Sequence, residues 1–147
     1  MRTKRHITSS EQLSDDGVWL AEIHPNLYAQ LATNEQAPAR ARALVSGWCE
    51  AFDLDEARCQ MLRLLVSEVV TNAVVHPRRP RRPIIVLAAS MLNDHVTVTV
   101  TDTGTGPTPR PRDPHPSTGG YGLYLLERET VRWGVDDIQD TRVWFEI

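Results

Sequence analysis

Residues 59–76 read CQMLRLLVSEVVTNAVVH, and this stretch decides the fold. Glu68 and Asn72 stand four residues apart, which on a helix stacks them one turn above the other. They lie at the edge of an apolar stripe whose members recur at the helical period, and the pattern predicts a long helix with one buried side. The stripe consists of Leu62, Leu65, Val66, Val69 and Ala73.

An acid and an amide beside a buried stripe are poorly solvated. Burying a carboxylate without a partner is costly, so Glu68 needs a group to interact with. The residues leave two alternatives open. The pair caps a structural contact, or it faces a cleft that holds a cation.

The composition bounds the remaining possibilities. A chain of 147 residues fits one domain, and 41% apolar with 24% charged residues is ordinary for a globular protein. A net charge of −3 gives no reason to expect nucleic acid as a partner. We expect neither a signal peptide nor a membrane span, and hence a cytoplasmic protein. The two cysteines, Cys49 and Cys59, are expected to be reduced and buried.

The predicted domain covers residues 21–147 and follows a polar N-terminal segment, residues 1–20. We expect an α/β two-layer sandwich in which helices cover one face of a mixed, mainly antiparallel sheet. Asp55 is the candidate N-cap of the long helix, and residues 91–95, MLNDH, are expected to form a hairpin turn. The expected helices are 38–52, 57–76 and 122–132, and the expected strands are 84–90, 96–101, 132–135 and 142–147, with an N-terminal strand that we cannot place.

Residues 78–83 read RRPRRP, four arginines interleaved with prolines. Proline excludes a helix here, and we expect a solvated loop. Its charge suits either an exposed basic turn or a patch that faces an anion or a partner.

Two glycine-rich stretches are candidates for ligand binding. Residues 102–106, DTGTG, directly follow a predicted strand, where Asp102 could accept a hydrogen bond from an exocyclic amine, although a tight turn explains the glycines equally well. Residues 119–122, GGYG, open a predicted helix whose first amides could bind an anion. The proline-rich residues 107–118 between them are expected to form a surface lid.

The order of these motifs resembles the Bergerat-fold (GHKL) ATPases. Glu68-xxx-Asn72 comes first, Asp102-x-Gly104-x-Gly106 second, and Gly120-x-Gly122-Leu123 third. The segments SEVVTNAVVH, TDTGTG, GYGL and RWGV…RVWFEI look most like the small bacterial anti-sigma-factor serine kinases and their histidine-kinase-like relatives. The resemblance covers residues 30–147.

The resemblance implies ATP and Mg²⁺ as cofactors and assigns roles to individual residues. Asn72 would ligate Mg²⁺, Glu68 would act as general base or orient the nucleophile, and Asp102 would hold the adenine amine. The other residues that would contact ATP are Gly104, Gly106, Thr118, Gly119, Gly120, Gly122, Leu123 and Thr141. Asp140 departs from the family, which usually has glycine there, and so does Pro77 after His76.

Elementary chemistry agrees with the resemblance. The only lysine is Lys4, which excludes a Walker-type phosphate loop. Cationic help for phosphoryl transfer would therefore come from the metal, from helix amides, or from Arg110 and Arg112 in the lid, which are otherwise solvated.

The resemblance implies an anti-sigma factor with Mg-ATP-dependent serine/threonine kinase activity. Its partners would be a sigma factor and an anti-anti-sigma antagonist, with no direct contact to nucleic acid and with a homodimer possible. The alternative is an ATP-sensing, partner-binding module with negligible catalysis. A histidine kinase is disfavoured because none of the five histidines precedes Glu or Asp. A gyrase-like ATPase is disfavoured because the chain lacks a second domain with a transducer lysine.

Overall fold

The computed structural model describes residues 12–13, 19–20, 27–75, 79–105, 121–137 and 140–147. Two short strands form an antiparallel sheet of their own, and the remaining elements build one larger sheet with three helices. The strands are β1 (Gln12–Leu13), β2 (Trp19–Leu20), β3 (Leu27–Ala32), β4 (Arg79–Leu92), β5 (His95–Thr105), β6 (Arg132–Asp137) and β7 (Thr141–Glu146). The helices are α1 (Ala37–Ala51), α2 (Glu56–Val75) and α3 (Tyr121–Glu129).

The five-stranded sheet has the order β3-β4-β5-β7-β6, and every pair among the described strands is antiparallel. The predicted sandwich of helices and a mainly antiparallel sheet is confirmed. The N-terminal strand that the sequence could not place is β3, at one edge of the sheet. Among the described residues, no helix has the length and apolar character needed to cross a membrane.

The core lies between the helices and one face of the sheet. Strand β5 shows the division clearly, because Val96, Val98 and Val100 are buried while the threonines between them are only half-buried. On α2 the predicted stripe is buried apart from Ala73, which is partly buried, and Val70 is buried as well. The buried side of α2 is wider than one stripe because this helix packs against α1, α3 and the sheet.

The turn between α1 and α2 agrees with the sequence. The Asp55 side chain accepts a hydrogen bond from the Arg58 backbone N–H at 2.9 Å, which confirms it as the N-cap of α2. Cys49 and Cys59 are both buried free thiols, as expected. Leu44 on α1 and Phe52, directly after that helix, are partly buried against the core.

The hairpin between β4 and β5 is also confirmed. Leu92 pairs with His95, so Asn93 and Asp94 form a two-residue turn, with φ of 50° and 67°. Positive φ at both positions is typical of the hairpin turns whose twist matches that of the flanking strands. The Arg58 guanidinium contacts the Asp94 carboxylate at 3.1 Å and ties this turn to α2.

The solvated loop predicted for residues 78–83 is wrong, because the backbone from Arg79 onward belongs to β4. Arg79 pairs with Thr105 and Pro80 with Gly104, and the register shifts between Pro80 and Ile85. Strand β3 pairs with β4 only as far as Ile84, so this end of β4 has no β3 neighbour. Proline lacks a backbone N–H and is tolerated in strands at such irregular or open positions.

Element ends differ from the predictions by a few residues. Helix α3 ends at Glu129 rather than 132, because β6 begins at Arg132 and continues to Asp137. Helix α2 ends at Val75, and residues 76–78, with His76 and Pro77, lie outside the described residues.

Candidate functional site

Glu68 and Asn72 lie where α2 meets the first turn of α3. A Cβ atom added to Gly122 would stand 2.8 Å from the Asn72 side-chain nitrogen and 3.2 Å from the Glu68 Cβ. Real Cβ atoms essentially never come within 3.0 Å of another atom, so any other residue here would displace the Asn72 amide. Both side chains on α2 are half-buried. The acid–amide pair predicted from the sequence therefore faces the start of a helix.

The sequence around Gly122 explains why α3 packs at this place. Leu123 is 5% exposed and Leu126 is fully buried, so the helix is anchored by its apolar side. A buried leucine contributes roughly 1.5–3 kcal/mol through the hydrophobic effect. Gly122 precedes these anchors directly and is itself buried, which brings the first turn of α3 against α2.

Asp102 and Thr141 form a second group, at the junction of β5 and β7. They are directly paired across the two strands. Both are buried, with 8% and 3% exposure. Asp102 continues the alternation of Val96, Val98 and Val100 and so belongs to the helix-covered face of β5. The aspartate and the threonine that the resemblance connects with adenine are neighbours in this fold.

Gly104 lies within β5 rather than in a turn, since its backbone pairs with Pro80. The chain therefore does not turn sharply at the first glycine of the motif. Four other predicted site residues lie outside the described residues, namely Gly106, Thr118, Gly119 and Gly120. The predicted lid, residues 107–118 with Arg110 and Arg112, lies outside them too.

The described residues offer few protein ligands for a metal ion. In the described part of the chain, no three His, Cys, Asp or Glu side chains are grouped to hold a metal ion. The Asn72 amide offers a hard oxygen of the kind that Mg²⁺ accepts. Such an ion usually keeps several waters and takes further ligands from substrate phosphates, so one protein ligand is compatible with Mg²⁺.

Two contacts beside the site were not found from the sequence. The Thr103 hydroxyl donates a hydrogen bond to the Ile84 carbonyl at 3.0 Å, next to Asp102. The guanidinium of Arg42 on α1 donates to the Ser67 hydroxyl at 2.7 Å, next to Glu68. Both contacts connect different elements, so no spacing along the chain could reveal them.

Comparisons with known proteins identify the family and the fold. Residues 31–137 match the family model described as "Histidine kinase-like ATPase domain". Among solved structures, the fold is similar to that of a Mycobacterium tuberculosis protein, described as the RsbU and RsbW domains of Rv1364c, with a TM-score of 0.64 and 22% identity. The match covers 82% of this chain and 30% of that one, so this chain spans less than a third of its length. No curated protein matches.

The family model covers most of the chain, including α1, α2, β4, β5, α3 and β6. The match includes the helix that carries Glu68 and Asn72, the strand that carries Asp102, and the start of α3 at Gly122. The resemblance seen in the ordered motifs is thereby confirmed, and the chain belongs to the histidine kinase-like ATPase domain family.

Proposed function

We propose that this chain is an anti-sigma factor that uses Mg-ATP to phosphorylate a serine or threonine of an antagonist protein. The observation that carries the proposal is the packing of Gly122 on Glu68 and Asn72. It sets the start of a helix, with its free backbone amides, beside the two residues whose carboxylate and amide would serve phosphoryl transfer by positioning and charge neutralisation.

The described residues fit Mg-ATP. Gly122 has no side chain to separate its backbone from the Asn72 amide, so the first turn of α3 lies directly beside Asn72. Asn72 would hold the ion through its amide oxygen, and Mg²⁺, when bound, would neutralise charge on the phosphates. The backbone amides of Gly122 and Leu123, together with residues 118–120, would donate hydrogen bonds to phosphate oxygens.

Recognition of the base would depend on β5 and β7. The buried Asp102 carboxylate would accept a hydrogen bond from the exocyclic amine of adenine. A carboxylate accepts hydrogen bonds and does not donate them, so this contact would be selective for a base that carries a donor. Thr141 would add a hydroxyl from the adjacent strand, while Gly104 and Gly106 would shape the base pocket.

Glu68 would act as the general base. It would take the proton from the attacking serine or threonine hydroxyl, or orient that hydroxyl toward the terminal phosphate. Its place one helical turn from Asn72 suits this role, because both would then address the same phosphate. The similarity to RsbU and RsbW domains supports a regulatory setting. In that setting the partners would be a sigma factor and an anti-anti-sigma antagonist in the cytoplasm, and the chain would act as a homodimer.

The test combines ATP binding with phosphoryl transfer. Purified chain, Mg²⁺ and radiolabelled ATP are mixed with a candidate antagonist, and transfer is compared among wild type, Glu68→Gln and Glu50→Gln. Glu50 is an exposed carboxylate on α1 and serves as the matched control. We expect Glu68→Gln to retain ATP binding by calorimetry and to lose transfer by about 100-fold or more.

The outcomes separate the competing functions. Transfer that depends on Glu68 supports the kinase. ATP binding by the wild type without transfer to any antagonist overturns the kinase and favours the ATP-sensing, partner-binding module. Absence of ATP binding overturns both.

A further inference from the structure

Asp102 stands at the end of regular pairing on both sides of β5. The pairing of β5 with β4 keeps one register from the pair Leu92 and His95 to the pair Ile85 and Asp102. Beyond that pair the register shifts. Toward β7 the last pair is Asp102–Thr141. Backbone pairing therefore fixes the strand up to Asp102 and less firmly beyond it. A strand backbone at such a position needs a further constraint if it is to keep one conformation.

Thr103 supplies a constraint of this kind. Continued regular pairing would set Thr103 opposite Ile84, but the ladder has shifted there. Instead, the half-buried Thr103 hydroxyl donates to the Ile84 carbonyl at 3.0 Å. Ile84 is itself held by β3 through its pairing with Ala32. A side-chain hydrogen bond thus connects the end of β5 to a strand that is fixed from its other side.

We propose that Thr103 is a positioning residue, whose hydroxyl holds the β5 backbone so that Asp102 faces the exocyclic amine of the bound adenine. The inference rests on the proposed role of Asp102 and adds a determinant of base specificity. Thr103 does not contact the base. Its side chain belongs to the opposite face of the strand from that of Asp102, because successive side chains alternate.

The predicted signature is a loss of base discrimination. A general weakening of the fold would lower the affinity for every nucleotide alike. Loss of positioning would instead lower the affinity for ATP and spare purine riboside triphosphate, an analogue that lacks the 6-amino group. The ratio of the two dissociation constants therefore reports on Asp102 and is insensitive to a uniform loss of stability.

The experiment measures both dissociation constants by calorimetry for wild type and three variants. Thr103→Val keeps the shape and removes the hydroxyl, and Thr103→Ser restores a hydroxyl. Thr101→Val is the control, because Thr101 lies on the same face of β5 within regular pairing. We expect Thr103→Val to reduce the preference for ATP by about three- to tenfold, the effect of losing one hydrogen bond. We expect Thr103→Ser and Thr101→Val to retain the preference.

Each outcome of this experiment supports or overturns the positioning role of Thr103. Unchanged discrimination in Thr103→Val, or an equal loss in Thr101→Val, overturns the positioning role while leaving ATP binding intact. If the wild type binds ATP no better than the amine-free analogue, Asp102 does not contact the amine of adenine. That result also overturns the positioning role of Thr103. Should Thr103→Val fail to fold, Thr103→Ala must lose the discrimination that Thr103→Ser keeps.

Discussion

A Cβ atom on Gly122 would lie 2.8 Å from the side-chain nitrogen of Asn72. The same atom would lie 3.2 Å from the Cβ of Glu68, which is fixed to the α2 backbone. Glycine at residue 122 therefore lets the first turn of α3 lie against α2 without displacing the Asn72 amide or shifting the helices by a few tenths of an ångström.

Gly122→Ala is expected to push α3 away from Glu68 and Asn72 and so to weaken ATP binding. Overpacking of this kind typically lowers the free energy of unfolding by about 1–3 kcal/mol. Because the backbone amides at the start of α3 move with the helix, the dissociation constant for ATP should rise about tenfold, which corresponds to about 1.4 kcal/mol. Calorimetric titration with ATP, with and without Mg²⁺, measures the change. Circular dichroism verifies that the variant folds.

Gly47→Ala is the matched control, because Gly47 is an exposed helical glycine with nothing within 4 Å of an added Cβ. Alanine in the interior of α1 should raise the free energy of unfolding by about 0.5–1 kcal/mol and leave ATP binding unchanged. Equal losses of ATP affinity in the two variants would contradict the close packing at Gly122.

A second glycine, Gly134, leaves room for the Trp144 ring on the face of the sheet that the helices do not cover. A Cβ atom on Gly134 would lie 2.8–2.9 Å from three atoms of the Trp144 indole, its directly paired neighbour. Gly134→Ala should displace the ring and lower the free energy of unfolding by about 1–3 kcal/mol, as measured by urea denaturation. In a Trp144→Ala background the same change should cost little. A cost that persists without the indole would show that the contact is not its cause.

The fold could be predicted where its determinants are local. The apolar spacing of Leu62, Leu65 and Val66 defines α2, and Asp55 signals the start of that helix. The strand formed by Arg79–Pro83 could not be predicted, because its pairing with Gly104 and Thr105 overrides what proline indicates locally. Sheet pairing is long-range and leaves no trace in a single segment.

The candidate site likewise has features that can be read from the sequence and features that depend on the fold. The order of Glu68, Asn72, Asp102 and Gly122 along the chain is visible in the sequence and carries the family resemblance. The contact of Gly122 with Asn72 depends on how α3 packs on α2, which no spacing expresses. Thr103 was missed because its hydrogen bond exists only where the register of β4 shifts.

The start of α2 offers a test of local stabilisation. Asp55 accepts the Arg58 backbone N–H at 2.9 Å, satisfying one of the amides left unpaired at a helix N-terminus. Asp55→Ala should lower the free energy of unfolding by about 1 kcal/mol, whereas Asp55→Ser should retain most of it. Chemical denaturation of the three proteins at one pH measures the difference. Equal destabilisation by alanine and serine would exclude capping as the cause.

The buried thiol of Cys49 makes stability depend on pH on the alkaline side. Burial, reinforced by a hydrogen bond with the Cys59 side chain, raises the pKa of Cys49 from 9.0 to about 12. Above pH 9.0 the unfolded chain therefore loses a proton that the folded chain keeps until about pH 12. The stabilisation is complete below the unfolded pKa and is lost as the pH rises toward the folded one, with a slope of at most about 1.4 kcal/mol per pH unit.

The comparison of wild type with Cys49→Ala separates this effect from the titration of groups that do not interact with Cys49, because their contributions cancel in the difference. Alanine leaves a small cavity and should destabilise the protein near pH 7 by a fixed amount. That deficit should shrink as the pH rises from 8 to about 10.5, because only the wild type is penalised when its unfolded thiol ionises. Urea unfolding at several pH values measures it. A deficit that stays constant across this range, or rapid reaction of the folded wild type with a thiol reagent at pH 8, would contradict a protected Cys49.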